Sequence, residues 1–319
     1  MTDKPFDIMR VHAPTIRSRV VLEVAAELVA ADQPRHQAKA LLRDHGEDWP
    51  IALSTTSTMG SVEEVVSGQS TMAFTNPSAI LTLAYLGTGP FKTPQPVRAI
   101  AVIPSLDQYM FAVRGDSGLV NFEDIASKRF PLRIAGRAQE DHCLHMVLKD
   151  VMAACGFTLE QLKSWGGDLK YLLGSRSPRL PFIEKGEADA LFDEAVGNWI
   201  EDACRANMTI LSFTEPTMQK LETMGYRRGW MRKSQYPCLT RDIMTIDFSG
   251  WPLFVREDAP DELVTQICAG LDARKALIPW QGEGPLPVER MCRDEEDTPL
   301  GAPLHRAAEA FWRKRGYLR

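Results

Sequence analysis

Val20, Leu22, Val24, Leu28 and Val29 recur with the spacing of one helix face and predict an amphipathic helix over residues 16–31. A short strand over 7–12 and a turn at Ala13-Pro14-Thr15 lead into it. Further apolar runs at 51–54, 71–75 and 97–103 read as strands, with helices over 60–67 and 77–86 between them. Strands and helices alternating in this way imply a mostly parallel sheet covered by helices, an α/β fold.

A second series begins with a strand over 109–114. It continues through a helix at 121–126, a strand at 132–135 and a helix over 140–155. Strands at 170–173, 190–193 and 209–213 complete a second sheet. A strand over 251–255 and a helix over 261–271 repeat the first pattern, and residues 281–303, rich in Pro, Gly and acids, read as a surface wrap. If that third stretch returns to the first sheet, the chain crosses between two lobes twice, which makes a hinge and an interlobe cleft. The expected division is a first lobe over 1–106, a second over 107–245, and a return to the first over 246–319. Open α/β sheets bind ligands beyond the carboxyl ends of their strands, so the loops after His12, Ser54, Thr75, Ala135 and Asp193 form the expected site.

Composition narrows the partners. With 44% hydrophobic and 25% charged residues over 319 positions, the chain has ordinary globular usage and room for two units. Its longest apolar stretches, 20–31 and 97–103, fall short of the roughly 20 residues a spanning helix needs, so no membrane insertion is expected. The net charge of −5 without a basic stripe argues against nucleic acid. Arg313, Lys314, Arg315 and Arg319 read as the cationic end of a C-terminal helix. Six cysteines without a CxxC pair, and a polar opening without a leader-like segment, give a cytoplasmic expectation, or a periplasmic one if a native leader has been removed.

Four segments then line up, in order, with one family. Thr58-Met59-Gly60-Ser61-Val62-Glu63-Glu64 resembles a Thr-Gly-Gly-Ser-x-Glu-Asn turn, and 67–74 resembles the helix end and strand after it. Val113-Arg114-Gly115-Asp116-Ser117-Gly118 resembles a Val-Arg-x-Asp-Ser-Gly segment. Residues 185–192 are similar to a Gly-x-x-Asp-Ala-x-Phe element, and Pro303-Leu304-His305 to a closing Pro-Leu-His helix. These are marks of the TAXI solute-binding receptors of TRAP transporters, within the type 2 periplasmic binding protein fold. The resemblance implies two α/β lobes with a hinge, reversible capture of a small organic acid without a covalent step, and a transporter membrane subunit as partner if the chain is exported. Where the family has a Gly- and Ser-rich ligand-facing turn, this chain has Arg137-Ala138-Gln139-Glu140-Asp141-His142-Cys143-Leu144-His145.

Candidate chemistry gathers at the strand ends. Arg137 lies between a strand and a helix start, where it either grips a carboxylate in two-toothed fashion or pairs with Glu140 or Asp141. The hydroxyls of Thr56, Ser57 and Thr58 either cap a helix or hold ligand oxygens. Asn76 before Pro77 either caps a helix or faces the ligand. His12, Thr15, Gln139, His142 and Glu194 complete the expected ligand-binding set. Asp193 and Glu194 are either proton-transfer groups or partners of an arginine across the hinge.

The leading expectation is a non-catalytic binder of a carboxylate, without a cofactor, gripped by Arg137 and the 56–58 hydroxyls from opposite lobes. The alternative is a cytoplasmic decarboxylase on the same fold. In it His142 and Glu194 handle the proton, and His142 and His145, three apart on one helix face, join Asp141 around a divalent metal. The chain carries no GxSxG, P-loop or GxGxxG signature.

Overall fold

In the computed structural model, residues 38–42, 51–55, 60–138, 142–172 and 176–319 are described, with side chains from 60–138, 142–172 and 179–319. The chain first lays down β1 (Ala38–Leu42), β2 (Ile51–Thr55), α1 (Gly60–Val66), β3 (Met72–Phe74), α2 (Ala79–Leu86) and β4 (Val97–Ile103). It then forms β5 (Met110–Arg114), α3 (Glu123–Ser127), β6 (Arg133–Arg137), α4 (Cys143–Ala154), α5 (Leu159–Ser164), β7 (Asp168–Leu172), α6 (Arg176–Glu184) and β8 (Ala190–Asp193). Next come α7 (Ile200–Arg205), β9 (Met208–Ile210), α8 (Glu215–Met224), β10 (Arg228–Met231) and β11 (Ile243–Ile246). Last are β12 (Trp251–Arg256), α9 (Asp261–Arg274) and α10 (Arg306–Lys314).

The strands make two five-stranded sheets, β1-β2-β3-β12-β4 and β7-β6-β8-β5-β9, and a separate β10-β11 ribbon. Each sheet contains one strand entered straight after a crossing. β5 runs antiparallel between β8 and β9, and β12 antiparallel between β3 and β4. Two lobes that exchange one antiparallel strand position in this way have the plan of the type 2 periplasmic binding protein fold. The expected mostly parallel sheet is therefore mixed: β2 with β3, and β6 with β7 and β8, are parallel, and the crossing strands are not.

Burial explains the sequence of α2, which is apolar nearly all round. Ala79 and Leu83 pack into the core of the second sheet, while Ile80, Leu81 and Ala84 pack into that of the first. One short helix thus belongs to both lobes. It stops at Gly87, whose φ of 71° suits glycine, and an added Cβ would lie 2.2 Å from the Pro94 nitrogen.

The 281–303 segment does more than wrap the surface. Leu286, Val288, Met291 and Cys292 fill the core under the first sheet beside Trp312. Ala99 N–H donates to Pro303 O at 3.0 Å, Val102 N–H to Met291 O at 2.7 Å, and His305 N–H to Ala99 O at 2.8 Å. These bonds cover the outer edge of β4, which would otherwise offer unpaired backbone groups to another chain. The strand expected over 7–12 and the helix over 16–31 lie outside the described residues.

Candidate functional site

Three loops converge where the sheets meet: the one after β3, which carries Asn76, and the ends of β6 and β8, which carry Arg137 and Asp193-Glu194. β6 can end close against α4 because residue 136 is glycine. A Cβ there would stand 2.8 Å from His145 Cε1.

Asp193 is the anchor. Its side chain is fully buried, and Arg137 meets it with two nitrogens, Nη2 donating to Oδ1 at 2.6 Å and Nε to Oδ2 at 3.3 Å. Arg179 of α6, also fully buried, donates Nη2 to Asp193 Oδ2 and Nη1 to the Ala135 carbonyl at 3.2 Å. Burial works against the charge of Arg137, and the Asp193 carboxylate more than offsets it, so the guanidinium is held above the ordinary arginine value. Two cations and the carboxylates of Asp193 and Glu194 balance inside the cluster. Such a set is costly to desolvate and costly to break one member at a time.

Glu194 is held more loosely. Arg137 Nη2 reaches its Oε1 at 3.3 Å, and Asn76 Nδ2, from the first-sheet side, donates to its Oε2 at 2.9 Å. The backbone turns sharply just beyond, with Ala195 at φ 52°. Asp107, in the first crossing segment, accepts the N–H groups of Ala195 and Val196 at 2.5 and 3.0 Å, and Trp199 Nε1 donates to the Glu194 carbonyl at 3.1 Å. The Glu194 loop is thereby fastened to the hinge.

His142 occupies the position before α4 in an extended conformation, which is why the helix expected from 140 begins at Cys143. Its Nε2 lies 2.8 Å from Arg137 Nη1 and 3.9 Å from Glu194 Oε1. Because the guanidinium only donates, Nε2 is the acceptor and the ring proton sits on Nδ1, 3.6 Å from Cys143 Sγ. That tautomer leaves the 3.3 Å approach of the Leu144 N–H to Nδ1 without a lone pair; the shorter contact to a charged donor decides between them. Cys143 donates to the Asn76 carbonyl at 3.1 Å, and burial pushes its thiol well up, so it is a donor and not a nucleophile.

His145 points elsewhere. Its Nε2 donates to the Arg137 carbonyl at 3.1 Å, and its ring packs edge-on against Tyr171 and Phe192. Burial holds it neutral, below the ordinary histidine value, and its Nδ1 has no partner among the described residues. His142 and His145 do not share a helix face, and Asp141, the third member of the expected metal set, lies outside the described residues. His142 precedes the helix and faces a guanidinium, while His145 is spent on a backbone carbonyl. Among the described residues no three His, Cys, Asp or Glu side chains are grouped to hold a metal ion.

Of the expected ligand set, Asn76, Arg137, His142 and Glu194 come together. His12, Thr15, Thr56, Ser57, Thr58, Gln139 and Asp141 lie outside the described residues. Among the described residues Arg137 pairs with Asp193 and Glu194; Glu140 and Asp141, the partners expected for it, lie outside them. Arg179 and Asp107 escaped the sequence reading, since nothing in the run Arg176–Glu184 marks which arginine turns inward. None of these residues lines the groove of about 1010 Å³ between α9 and α10, whose walls include Asp261, Asp272, Arg306 and Arg315.

No protein-family model and no curated relative matches the chain. Solved structures do. Tv2483 bound to L-arginine is 10% identical, matching 68% of this chain at a TM-score of 0.33, and the chain spans 65% of that structure's length. The substrate binding protein of an amino acid ABC transporter is 14% identical over 85% of this chain and 89% of that one, at a TM-score of 0.29. The ATP phosphoribosyl transferase (HisG:HisZ) complex from Thermotoga maritima is 13% identical over 79% and 90%, at a TM-score of 0.37.

Proposed function

We propose that this chain binds a small organic acid at the junction of its two sheets, without a covalent step. The observation that carries the reading is the convergence of Asn76 with Arg137, His142 and Glu194, from both sheets, beyond the carboxyl ends of their strands. The TAXI-like segments at 58–64, 113–118, 185–192 and 303–305 add to it.

Arg137 has unequal grips. Asp193, shared with Arg179, stays in place, while Glu194 at 3.3 Å is the carboxylate that an incoming acid displaces. Glu194 then acts as an internal stand-in for the ligand, and its release loosens the Asn76 contact that ties the lobes.

A thermal-shift panel of mono- and dicarboxylates tests the reading. One-site binding raises stability by about 2.7 kcal/mol at a hundredfold excess over Kd. Glu194→Gln, which removes the competing charge and keeps the shape, is expected to tighten carboxylate binding by about tenfold, the size of one charge-assisted contact. A panel that shifts neither protein, or a Glu194→Gln protein that binds more weakly, overturns it. A CO₂-release assay on the same acids separates binding from the lyase alternative.

A further inference from the structure

Cys204 closes α7, and Cys238 lies in the loop between β10 and β11. That loop is a tightly held excursion. Arg232 Nη1 donates to Asp242 Oδ2 and the Lys233 N–H to Asp242 Oδ1, both at 2.8 Å, which ties its two ends together. Leu239 and Tyr236 press it onto the core beside Ile200, Ala203 and Cys204. Cys238 Sγ lies 3.9 Å from the carbonyl of Ile200, one turn before Cys204 on the same helix, so the loop sets its thiol beside the Cys204 turn.

Access separates this pair from the other cysteines. Cys238 is exposed and Cys204 half-buried, whereas Cys143, Cys268 and Cys292 are buried. We propose that Cys204 and Cys238 are a modification site, a dithiol that a small disulfide such as oxidised glutathione converts to an intramolecular disulfide, stapling the β10–β11 loop to α7.

The exchange balances in two steps. The Cys238 thiolate attacks one sulfur of the small disulfide, forming a mixed disulfide and releasing one small thiolate. Cys204 then loses its proton, attacks Cys238 Sγ and releases the second small thiol. The two protein sulfurs are oxidised by two electrons, one small disulfide is reduced to two thiols, and the two protein protons end on them. The order follows from exposure, because burial, together with Cys238 alongside, pushes the Cys204 thiol up to about 12 and leaves it a poor first nucleophile. The staple holds the helix that follows the Glu194 loop, so it stiffens the support of the site without entering it.

The test uses the full chain, reduced and then treated with oxidised glutathione under native conditions, with intact mass and non-reducing peptide maps as readouts. Wild type is expected to lose two hydrogens and to yield a Cys204–Cys238 linked peptide, forming faster at pH 9 than at pH 7 because the thiolate is the attacking species. Cys204→Ser is expected to stop at the mixed disulfide on Cys238, and Cys238→Ser to stay reduced at Cys204. Wild type that accumulates the mixed disulfide as Cys204→Ser does, or that does not react at all, overturns the proposal.

Discussion

Asp193 sits between two guanidiniums at zero exposure, and this single side chain decides what Arg137 is available to do. The sequence marks Arg137, Asn76, His142 and Glu194 because each stands next to a strand end or a helix start, where residue type and position together carry meaning. It does not mark Arg179, which occupies a helix whose register cannot be read from its own composition. His145 shows the same limit from the other side: its place near the site is legible, but its engagement by the Arg137 carbonyl is not. That engagement has a measurable consequence. Burial lowers the folded-state pKa of His145, and of His305 at the start of α10, so the unfolded chain takes up protons that the folded chain refuses. Stability is therefore complete above the unfolded histidine pKa of about 6.5 and falls as pH drops below it towards the lower folded-state values. His145→Gln keeps a donor for the Arg137 carbonyl and removes the titration. Urea midpoints at pH 7, 6 and 5 are expected to fall less steeply for it than for wild type.

Elements were legible to the extent that their burial is one-sided. The strand-helix alternation, the two sheets and the third strand-helix unit follow from local runs of apolar residues. The antiparallel placement of β5 and β12 does not, because it is set by where the chain re-enters each sheet and not by any residue within those strands. The β10–β11 ribbon also went unread, since Arg228, Arg232 and Asp242 around it give it a polar outline. α2 is the opposite case: its apolar run, broken only by Thr82, signals burial on both sides, and it lies in both cores. Its end depends on Gly87. Gly87→Ala places a side chain at φ 71°, costing about 1–2 kcal/mol, and adds a collision with the Pro94 backbone nitrogen that no rotamer relieves. A loss of at least about 2 kcal/mol in denaturant unfolding is expected, and a change within 0.5 kcal/mol would mean that the 87–94 turn rearranges at little cost.

At the scale of the whole molecule, the site and the stability of the first sheet are built by different parts of the chain. Asn76, Arg137, His142 and Glu194 meet between the sheets, while the far side of the first sheet is closed by residues that follow β12. Trp312 is the centre of that closure. Its ring is fully buried, its Nε1 donates to the Ile100 carbonyl at 2.9 Å, and it packs beside Leu286, Val288 and Met291. Trp312→Ala leaves a cavity and an unpaired carbonyl, for which about 3–5 kcal/mol is the expected cost. Because the four converging side chains are joined by hydrogen bonds to one another and Trp312 is bonded to the Ile100 carbonyl, the rise in stability that a saturating carboxylate confers is expected to be the same on the variant as on wild type, although both start and end points are lower. Paired denaturation curves with and without the acid measure both quantities. A ligand increment that disappears with Trp312 would show that the β4 edge and the interlobe cluster are coupled through the sheet, and that the first lobe does not present Asn76 as an independent, preformed surface.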